Sequence, residues 1–578
     1  MAVERLRLEI SRVLKEMGVE GTEEIVLERP RNPAHGDLAS NIAMTLARPL
    51  RRSPRQIAEE LTSRLDLARA GVASVEIAGP GFINFRLTED YVREGLAEIV
   101  RRANDYGRSD AGGGQPVMVE FVSANPTGPL HIGHGRQAAL GDAIAELLEW
   151  DGWKAYREFY YNDAGEQITR LSRSVWARYQ QHFGEPVEFP ADGYHGSYVT
   201  EIARQIADRH GRAFVGDDSD EALDTMRQFA VAVLRAEQNR DLSDFRVHFD
   251  NFFLESSLYT DGRVAETIDR LRATGLVYEE GGALWLQTTR FGDDKDRVMV
   301  KSSGHPTYFL PDVAYHLTKW ERGFHRVVNV QGADHHGTVA RVRAGLQALG
   351  LPEGYPEYVL HQMVLVMRGG QEVKFSKRAG DTVTLRELYE EVGVDVARYF
   401  FLMRRAEAQL TFDLDLALDQ SEKNPVYKVQ YAHARMSSIF RRAGIDPTSL
   451  DPDAADLDLL TQESEHELVK LLLRFPQLVH TAAERHAPHL ICDYLEEVAG
   501  VVNSWYHAGN LDPSLRVLGV PDELSRARML LARAIQLVLR NGLSILGVSA
   551  PERMERQDSE VERGNGEGAD PREQQNDG

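Results

Sequence analysis

The chain has 578 residues, 42% hydrophobic and 27% charged, enough for several globular domains with ordinary cores. Its formal net charge of -22 counts against a protein that coats nucleic acid by charge alone, while leaving room for one RNA bound through local basic surfaces. A single cysteine, Cys492, excludes an intrachain disulfide framework and a cysteine-based zinc site. Glu4, Glu9 and Glu16 interrupt the apolar positions of the first twenty residues, and no later stretch approaches the length of a membrane span. A cytoplasmic protein with no membrane association is expected.

Residues 1–105 read as an α+β unit. Leu6, Ile10, Val13 and Leu14 form one helical stripe. Val75 and Ile77, then Ile83, Phe85 and Leu87, alternate on either side of Gly79-Pro80-Gly81, which predicts two short strands joined by a tight turn. The glycine-rich DYGRSDAGGGQP then marks a domain boundary.

From 106 to 420 the pattern becomes strand, loop, helix. PVMVEFVSA is a compact apolar strand, and after a polar loop Leu140, Ile144, Leu147 and Leu148 share one helical face. RVVNVQGADHHG is a second buried strand ending in a polar loop, followed by helical TVARVRAGLQALG with Gly350 as the predicted C-cap. Repeated units of this kind predict an α/β domain with a Rossmann-like parallel sheet and a ligand at the strand C-termini. Residues 189–253 interrupt the pattern as a helical, charged insertion. Long helical patterns fill 421–554 and predict an all-α bundle, and the acidic, glycine-rich residues 555–578 predict a disordered tail.

Between the first such strand and its helix lies VEFVSANPTGPLHIGHGRQAALGDAI, in which His131 and His134 are separated by Ile132 and Gly133. Metal ligation would need further donors, and two histidines three apart around a glycine are not the HExxH helix arrangement. Structural histidines at a helix start are a second reading. The neighbours favour a third, a nucleotide site. Gly128, Gly133 and Gly135 let the backbone approach a ligand closely, and a helix start is expected to turn unpaired N–H groups and its positive dipole end toward an anion. Imidazoles there donate hydrogen bonds to phosphate oxygens as charge develops on them. Glu120 is a further signal, because an ionised carboxylate inside an apolar strand needs a partner.

HIGH, at 131–134, resembles the first signature of class I aminoacyl-tRNA synthetases, and KFSKR, at 374–378, resembles their second, departing from KMSKS at Phe375 and Arg378. VEFVSANPTGPLHIGHGR, VQGADHHG, VKFSKRAGDTVTL, NPVYKVQYAHAR and NGLSILGVSAPERM resemble arginyl-tRNA synthetases in particular and carry the likeness to Met554. The resemblance implies an enzyme that joins L-arginine to ATP as arginyl-adenylate and passes arginine to the 2′-hydroxyl of the 3′-terminal adenosine of tRNA(Arg). It implies Mg2+ with the ATP, no protein metal site, a monomer, and tRNA already engaged at the activation step.

By the same resemblance His131 and His134 meet the phosphate oxygens, with Gly133 allowing close approach. Lys377, supported by Lys374, neutralises the departing pyrophosphate. Pro126, Ser376 and the segment Gly332, Ala333, Asp334, His335 and His336 contact the nucleotide. Glu120 and Asn125 hold the backbone end of arginine with Ser123 close by, while Asp312 accepts the guanidinium and Tyr308 packs beside it. Phe82 and Asn84 match the segment used on the tRNA elbow, and Tyr431, Arg435 and Met554 the anticodon side. Two rivals remain at this level. Nucleotidylyltransferases carry HxGH-like strings on a similar sheet but are usually shorter and lack the helical C-terminal half. A regulatory paralogue is expected to have lost the phosphate-binding residues, which are retained here.

Overall fold

The computed structural model describes residues 2–19, 25–28, 30, 32, 35–163, 165–373 and 383–554. Its first helix, Ala2–Glu16, buries Leu6, Ile10 and Val13 completely. Against it packs the helix Pro54–Arg64, started by a Ser53 side chain that accepts from the Gln56 amide and by Pro54 in the first turn. β1 (Leu38–Ser40), β2 (Val72–Ala78) and β3 (Phe82–Leu87) form an antiparallel sheet in the order β1-β3-β2, with Ile83 and Phe85 turned into the core. Gly79, at φ 52°, and Gly81, at φ 145°, supply the turn between β2 and β3.

The central unit is built on β4 (Pro116–Glu120), β5 (Lys154–Tyr161) and β6 (Asn251–Leu254), followed in the chain by a small antiparallel sheet of β7 (Val277–Glu280), β8 (Ala283–Leu286) and β9 (Arg297–Val300). β10 (Val327–Gly332) and β11 (Glu357–His361) complete the main sheet in the order β11-β10-β4-β5-β6, every neighbouring pair parallel. From β4 the chain runs outward through β5 and β6, then crosses back to β10 and β11 on the other side. That reversal opens a crevice between the C-terminal ends of β4 and β10, the place where such sheets bind ligands.

The helix Ile132–Trp150 lies on this sheet through Leu140, Ile144, Leu147 and Leu148. It comes so close that a Cβ on Gly141 would overlap the Phe121 ring. Glu166–His182, Ser197–His210 and Asp220–Asp244 form a helical layer with its own core around Val175, Ile202 and Leu234. This layer starts earlier than residue 189, and the apolar Asn251–Leu254 returns to the sheet as its edge strand.

After β11, β12 (Val364–Arg368) pairs with β13 (Gln371–Glu372) and with β14 (Leu410–Asp413). The remainder is helical: Pro425–Ala443, Glu463–Leu472, Phe475–Glu484, His489–Leu511 and Asp522–Ile545. One apolar cluster runs from Val119 and Ile144 under the sheet to Val498 and Leu537 in the bundle. The architecture is thus multidomain, with an α+β first unit, a parallel-sheet unit and a helical C-terminal region. Among the described residues no helix is long and apolar enough to cross a membrane.

Candidate active site

The loop from β4 to the helix at Ile132 begins with two residues in the left-handed region, Val122 at φ 66° and Ser123 at φ 43°. For a β-branched valine this is strained backbone, a feature concentrated at functional sites. The helical layer braces the same loop: Gln238 Nε2 donates to the carbonyls of Asn125 (3.1 Å) and Gly128 (2.9 Å), and the Tyr198 hydroxyl donates to that of Thr127 (2.7 Å). Pro126 is buried in the loop, and Asn125 Nδ2 donates to Gln167 Oε1 at 2.6 Å.

His131 is the N-cap of the helix. Its Nδ1 accepts from the amides of Gly133 (3.0 Å) and His134 (3.4 Å), while the His134 Nδ1 accepts from the His131 amide (3.2 Å). A ring nitrogen that accepts carries no hydrogen, so each neutral imidazole holds its hydrogen on Nε2 and presents it as a donor. Burial lowers the proton affinity of both rings, and the His131 and His361 imidazoles lower that of His134 further, so both are neutral. The rings stack with centroids 3.7 Å apart. A Cβ on Gly133 would lie 2.9 Å from His131 Cε1, which gives that glycine a local reason: the cap occupies its side-chain space.

This arrangement corrects the expectation of free amides at the helix start. Gly133 and His134 give their N–H groups to His131, and Ile132 gives its own to the Val383 carbonyl at 3.2 Å. What the end offers an anion is its dipole and two Nε2–H groups. The Leu385 amide donates to the Leu130 carbonyl (2.8 Å), so residues 383–385 are fastened to the histidine loop. Lys374, Ser376 and Lys377 lie outside the described residues, as does the 555–578 tail.

Glu120 has found partners. Asn329, Glu120, Glu158 and Asn251 stand in register across β10, β4, β5 and β6, a polar row through an otherwise apolar sheet. The helix Phe309–Glu321 covers the row. Lys319 Nζ, fully buried, reaches Glu120 Oε2 (2.5 Å) and Asn329 Oδ1 (3.1 Å), and Ser123 Oγ donates to Glu120 Oε1 (2.9 Å). Glu158 accepts from Tyr315 (2.8 Å), from Asn251 (2.8 Å) and from both terminal nitrogens of Arg322 (3.0 and 2.6 Å). Every buried charge in the row is therefore paired. Lys319, Asn329, Glu158 and Arg322 were missed from sequence, although Asn329 and Lys319 break apolar runs as Glu120 does.

Asp312, in the first turn of the same helix, is the exception. No hydrogen bond or ion pair reaches its carboxylate among the described residues. Burial, then the neighbouring carboxylates of Glu120 and Glu255, push its carboxyl up to about 7, with Lys319 and Arg341 offsetting only part of this. Such a site asks for a cation. Tyr308 stands just before the helix, one turn from Asp312, and is 81% exposed.

At the crevice's other wall, β10 ends at Gly332, where a Cβ would overlap Asp334 Oδ1. Ala333 is half-buried, and Asp334, His335 and His336 are exposed, with His335 Nε2 3.6 Å from Asp334 Oδ2. No group of three or more His, Cys, Asp or Glu among the described residues could hold a metal ion.

The RNA-facing candidates divide. Phe82 is 43% exposed, whereas Asn84, on the same face of β3, is only 5% exposed and has little surface to offer a base. Tyr431 and Arg435 share a helix face, the Arg435 guanidinium 4.4 Å above the Tyr431 ring and 5.3 Å from that of Tyr506. The Pro551 and Glu552 carbonyls meet His433 (2.9 Å) and Arg441 (2.6 Å) of this helix, which brings the half-buried Met554 to it.

Three family models match the chain: an arginyl tRNA synthetase N terminal domain over residues 4–87, a class I tRNA synthetase (R) catalytic domain over 96–409 and a DALR anticodon binding domain over 429–554. The arginine–tRNA ligase of Geobacter metallireducens is 54% identical over 545 residues, 92% of this chain and 95% of that one. That of Bordetella pertussis is 52% identical over 547 residues, 93% and 96%. Among solved structures, Thermus thermophilus arginyl-tRNA synthetase superimposes with a TM-score of 0.76 at 25% identity, covering 96% of this chain and all of that one. With likeness of this extent over a parallel-sheet crevice that carries the HIGH pair, the chain belongs to the arginyl-tRNA synthetase family of class I, and its activity is that of an arginine–tRNA ligase.

Proposed function

We propose that arginine and ATP meet in the crevice between β4 and β10, the guanidinium on Asp312 and the triphosphate at the His131 helix start. The observation that carries this reading is Asp312, a recessed carboxylate crowded by two others and lacking a cation of its own. A guanidinium relieves that crowding and supplies planar donors that match carboxylate oxygens. Tyr308 closes over it from the rim. Lysine or ornithine would leave acceptors unsatisfied, so the pocket discriminates without a separate editing site. Asn125 and Glu120, the latter oriented by Ser123 and Lys319, hold the backbone end of arginine.

A carboxylate oxygen of arginine attacks the α-phosphorus, and the bond to the bridging oxygen breaks as pyrophosphate leaves. The enzyme positions the reactants and stabilises charge without covalent participation. The Nε2–H groups of His131 and His134 donate to the phosphate oxygens, and Gly133 leaves the nucleotide room. Lys377 and Lys374 neutralise the pyrophosphate, Mg2+ travels with the triphosphate as part of the substrate, and Pro126, Ser376 and residues 332–336 contact the nucleotide. Arginine then passes to the 2′-hydroxyl of the terminal adenosine. tRNA(Arg) spans the N-terminal unit, 1–105, where Phe82 supplies an exposed ring and Asn84 a nearby amide. It also spans the bundle, 421–554, where Tyr431, Arg435 and Met554 face the anticodon. The enzyme works as a cytoplasmic monomer, with 106–420 as its catalytic domain.

The test is ATP–pyrophosphate exchange with each of the twenty amino acids, with and without tRNA. Exchange with arginine alone, dependent on tRNA and abolished by Asp312→Asn, supports the assignment. Exchange with another amino acid, or an Asp312→Asn variant with an unchanged arginine KM, defeats the pocket.

A further inference from the structure

His361, the last residue of β11, is paired in register with Gly332, where the 332–336 segment begins. It is 6% exposed, and its Nε2 is buried with no hydrogen-bond partner among the described residues. An atom in that state has given up its water without a replacement, which is uncommon and calls for a cause. The His361 Nδ1 lies 3.3 Å from the Gln362 carbonyl oxygen. A carbonyl oxygen only accepts, so Nδ1 carries the hydrogen and Nε2 keeps a bare lone pair.

The carbonyl that sets this tautomer is itself fixed. It also accepts from Arg136 Nη1 at 2.7 Å, and the Gln362 amide donates to the Ala406 carbonyl at 2.9 Å. Burial pushes the ring down to about 4, so it stays neutral. Its electrostatic neighbours include His131, His134 and Asp334, which sets it just beneath the groups placed at the crevice.

The three imidazoles differ in what they offer. His131 and His134 present hydrogens, which suit phosphate oxygens. His361 presents a lone pair, which phosphate oxygens would repel and which takes a donor. On ATP the neutral donors are the ribose hydroxyls and the adenine 6-amino group, all in the nucleoside half. We propose that His361 is a nucleoside-binding residue of the activation site, its Nε2 accepting a hydrogen bond from a ribose hydroxyl or the 6-amino group of ATP. The assignment rests on ATP occupying the β4–β10 crevice, and it gives β11 a part in a site otherwise drawn from β4, β10 and the loops.

The experiment compares wild type with His361→Phe, which keeps a ring and removes the acceptor, and His361→Gln, whose Oε1 can accept in its place. Arginine-dependent pyrophosphate exchange is measured with ATP, 2′-deoxy-ATP, 3′-deoxy-ATP and the triphosphate of purine riboside, which lacks the 6-amino group. The wild type should lose about tenfold or more in kcat/KM with the one analogue that lacks the bonded donor, which identifies the donor. His361→Phe should lose a similar factor with ATP through its KM, lose nothing further with that analogue, and keep its arginine KM; His361→Gln should recover part of the loss. A merely structural histidine would not erase selectivity for one analogue. A His361→Phe enzyme with wild-type kcat/KM for ATP, or one that penalises every analogue as wild type does, overturns the assignment alone. Unchanged exchange in His131→Asn and His134→Asn enzymes would instead overturn the crevice reading, and the assignment with it.

Discussion

His131 uses its two ring nitrogens for different purposes, and a substitution can separate them. Nδ1 caps the helix, while Nε2–H is left for phosphate. Asparagine places an amide oxygen near the position of Nδ1 and is among the best N-caps, but it has nothing in place of Nε2. His131→Asn should therefore melt within about 1 kcal/mol of wild type while arginyl-adenylate formation falls about a hundredfold or more. His131→Ala should lose both, and equal destabilisation of the two variants would remove the cap from the account. Asp312 makes a prediction about pH. Its carboxyl, raised from 3.8 to about 7, must be ionised to hold a guanidinium, so the proton competes with arginine on the acid side. The KM for arginine should rise about tenfold for each pH unit below 7 and level off above it. A flat profile from about pH 5.5 to 8.5 would mean that another group meets the guanidinium. Because the folded state holds this proton more tightly than the unfolded chain, the free enzyme should also lose stability as pH rises from 3.8 toward 7. Glu120 was legible because it interrupts an apolar strand and His131 because it pairs with His134 among glycines, whereas Asp312 was reached only through the family resemblance of its segment. Lys319 was not, since its partner Glu120 lies 199 residues away in sequence, and His361 was not, since nothing in EYVLHQM shows that one of its nitrogens is left unpaired.

The active site is aimed by how one helix sits on one strand. Gly141 lets Ile132–Trp150 approach the end of β4 until only hydrogen fits against the Phe121 ring, and the same helix carries His131 and His134 at its start. Gly141→Ala should push the helix away from the strand, cost about 1–3 kcal/mol, and slow adenylate formation by displacing both donors. Thermal melts and exchange rates on one preparation check this; a stable variant with full exchange would show that the close packing does not set the histidines. Elements of this kind were readable in advance. The alternation in β2 and β3, the apolar run of β4 and the 3.6-residue stripe from Leu140 to Leu148 are local signals, and the structure follows them. Strand order was not readable, because it depends on pairings between distant segments, such as Met118 of β4 with Val327 of β10. Nor was the absence of free amides at the helix start, which follows from a side-chain rotamer of His131 rather than from residue spacing.

At the scale of the molecule, three parts of the chain are joined through buried polar contacts as well as through the shared core. Arg398, fully buried, donates to the Phe245 carbonyl, the Leu546 carbonyl and Asp142, the last on the helix that His131 begins. Its guanidinium fills the space that a side chain at Gly547 would need. A second junction centres on His480 in the helix Phe475–Glu484. Its Nδ1 is 2.7 Å from Asp151 of the sheet unit, Glu484 of its own helix lies 3.5 Å from its Nε2, and Arg7 of the first helix reaches Gln477 one turn away at 2.6 Å. Hydrogen bonding to Asp151 raises the proton affinity of His480 above the ordinary 6.5, against the opposing effects of burial and Arg7. A raised folded-state value means that the charged pair stabilises the fold fully below pH 6.5 and stops doing so as pH climbs through the raised value. His480→Gln should therefore melt below wild type at pH 6, by about 1 kcal/mol for a buried carboxylate paired with a part-exposed imidazole, and the two should converge by about pH 9. Paired melts at the two pH values, in low salt, decide the matter. A deficit that persists unchanged at the higher pH would assign the junction to packing, and equal stability at both would show that the His480–Asp151 pair adds nothing to the attachment of the bundle to the sheet.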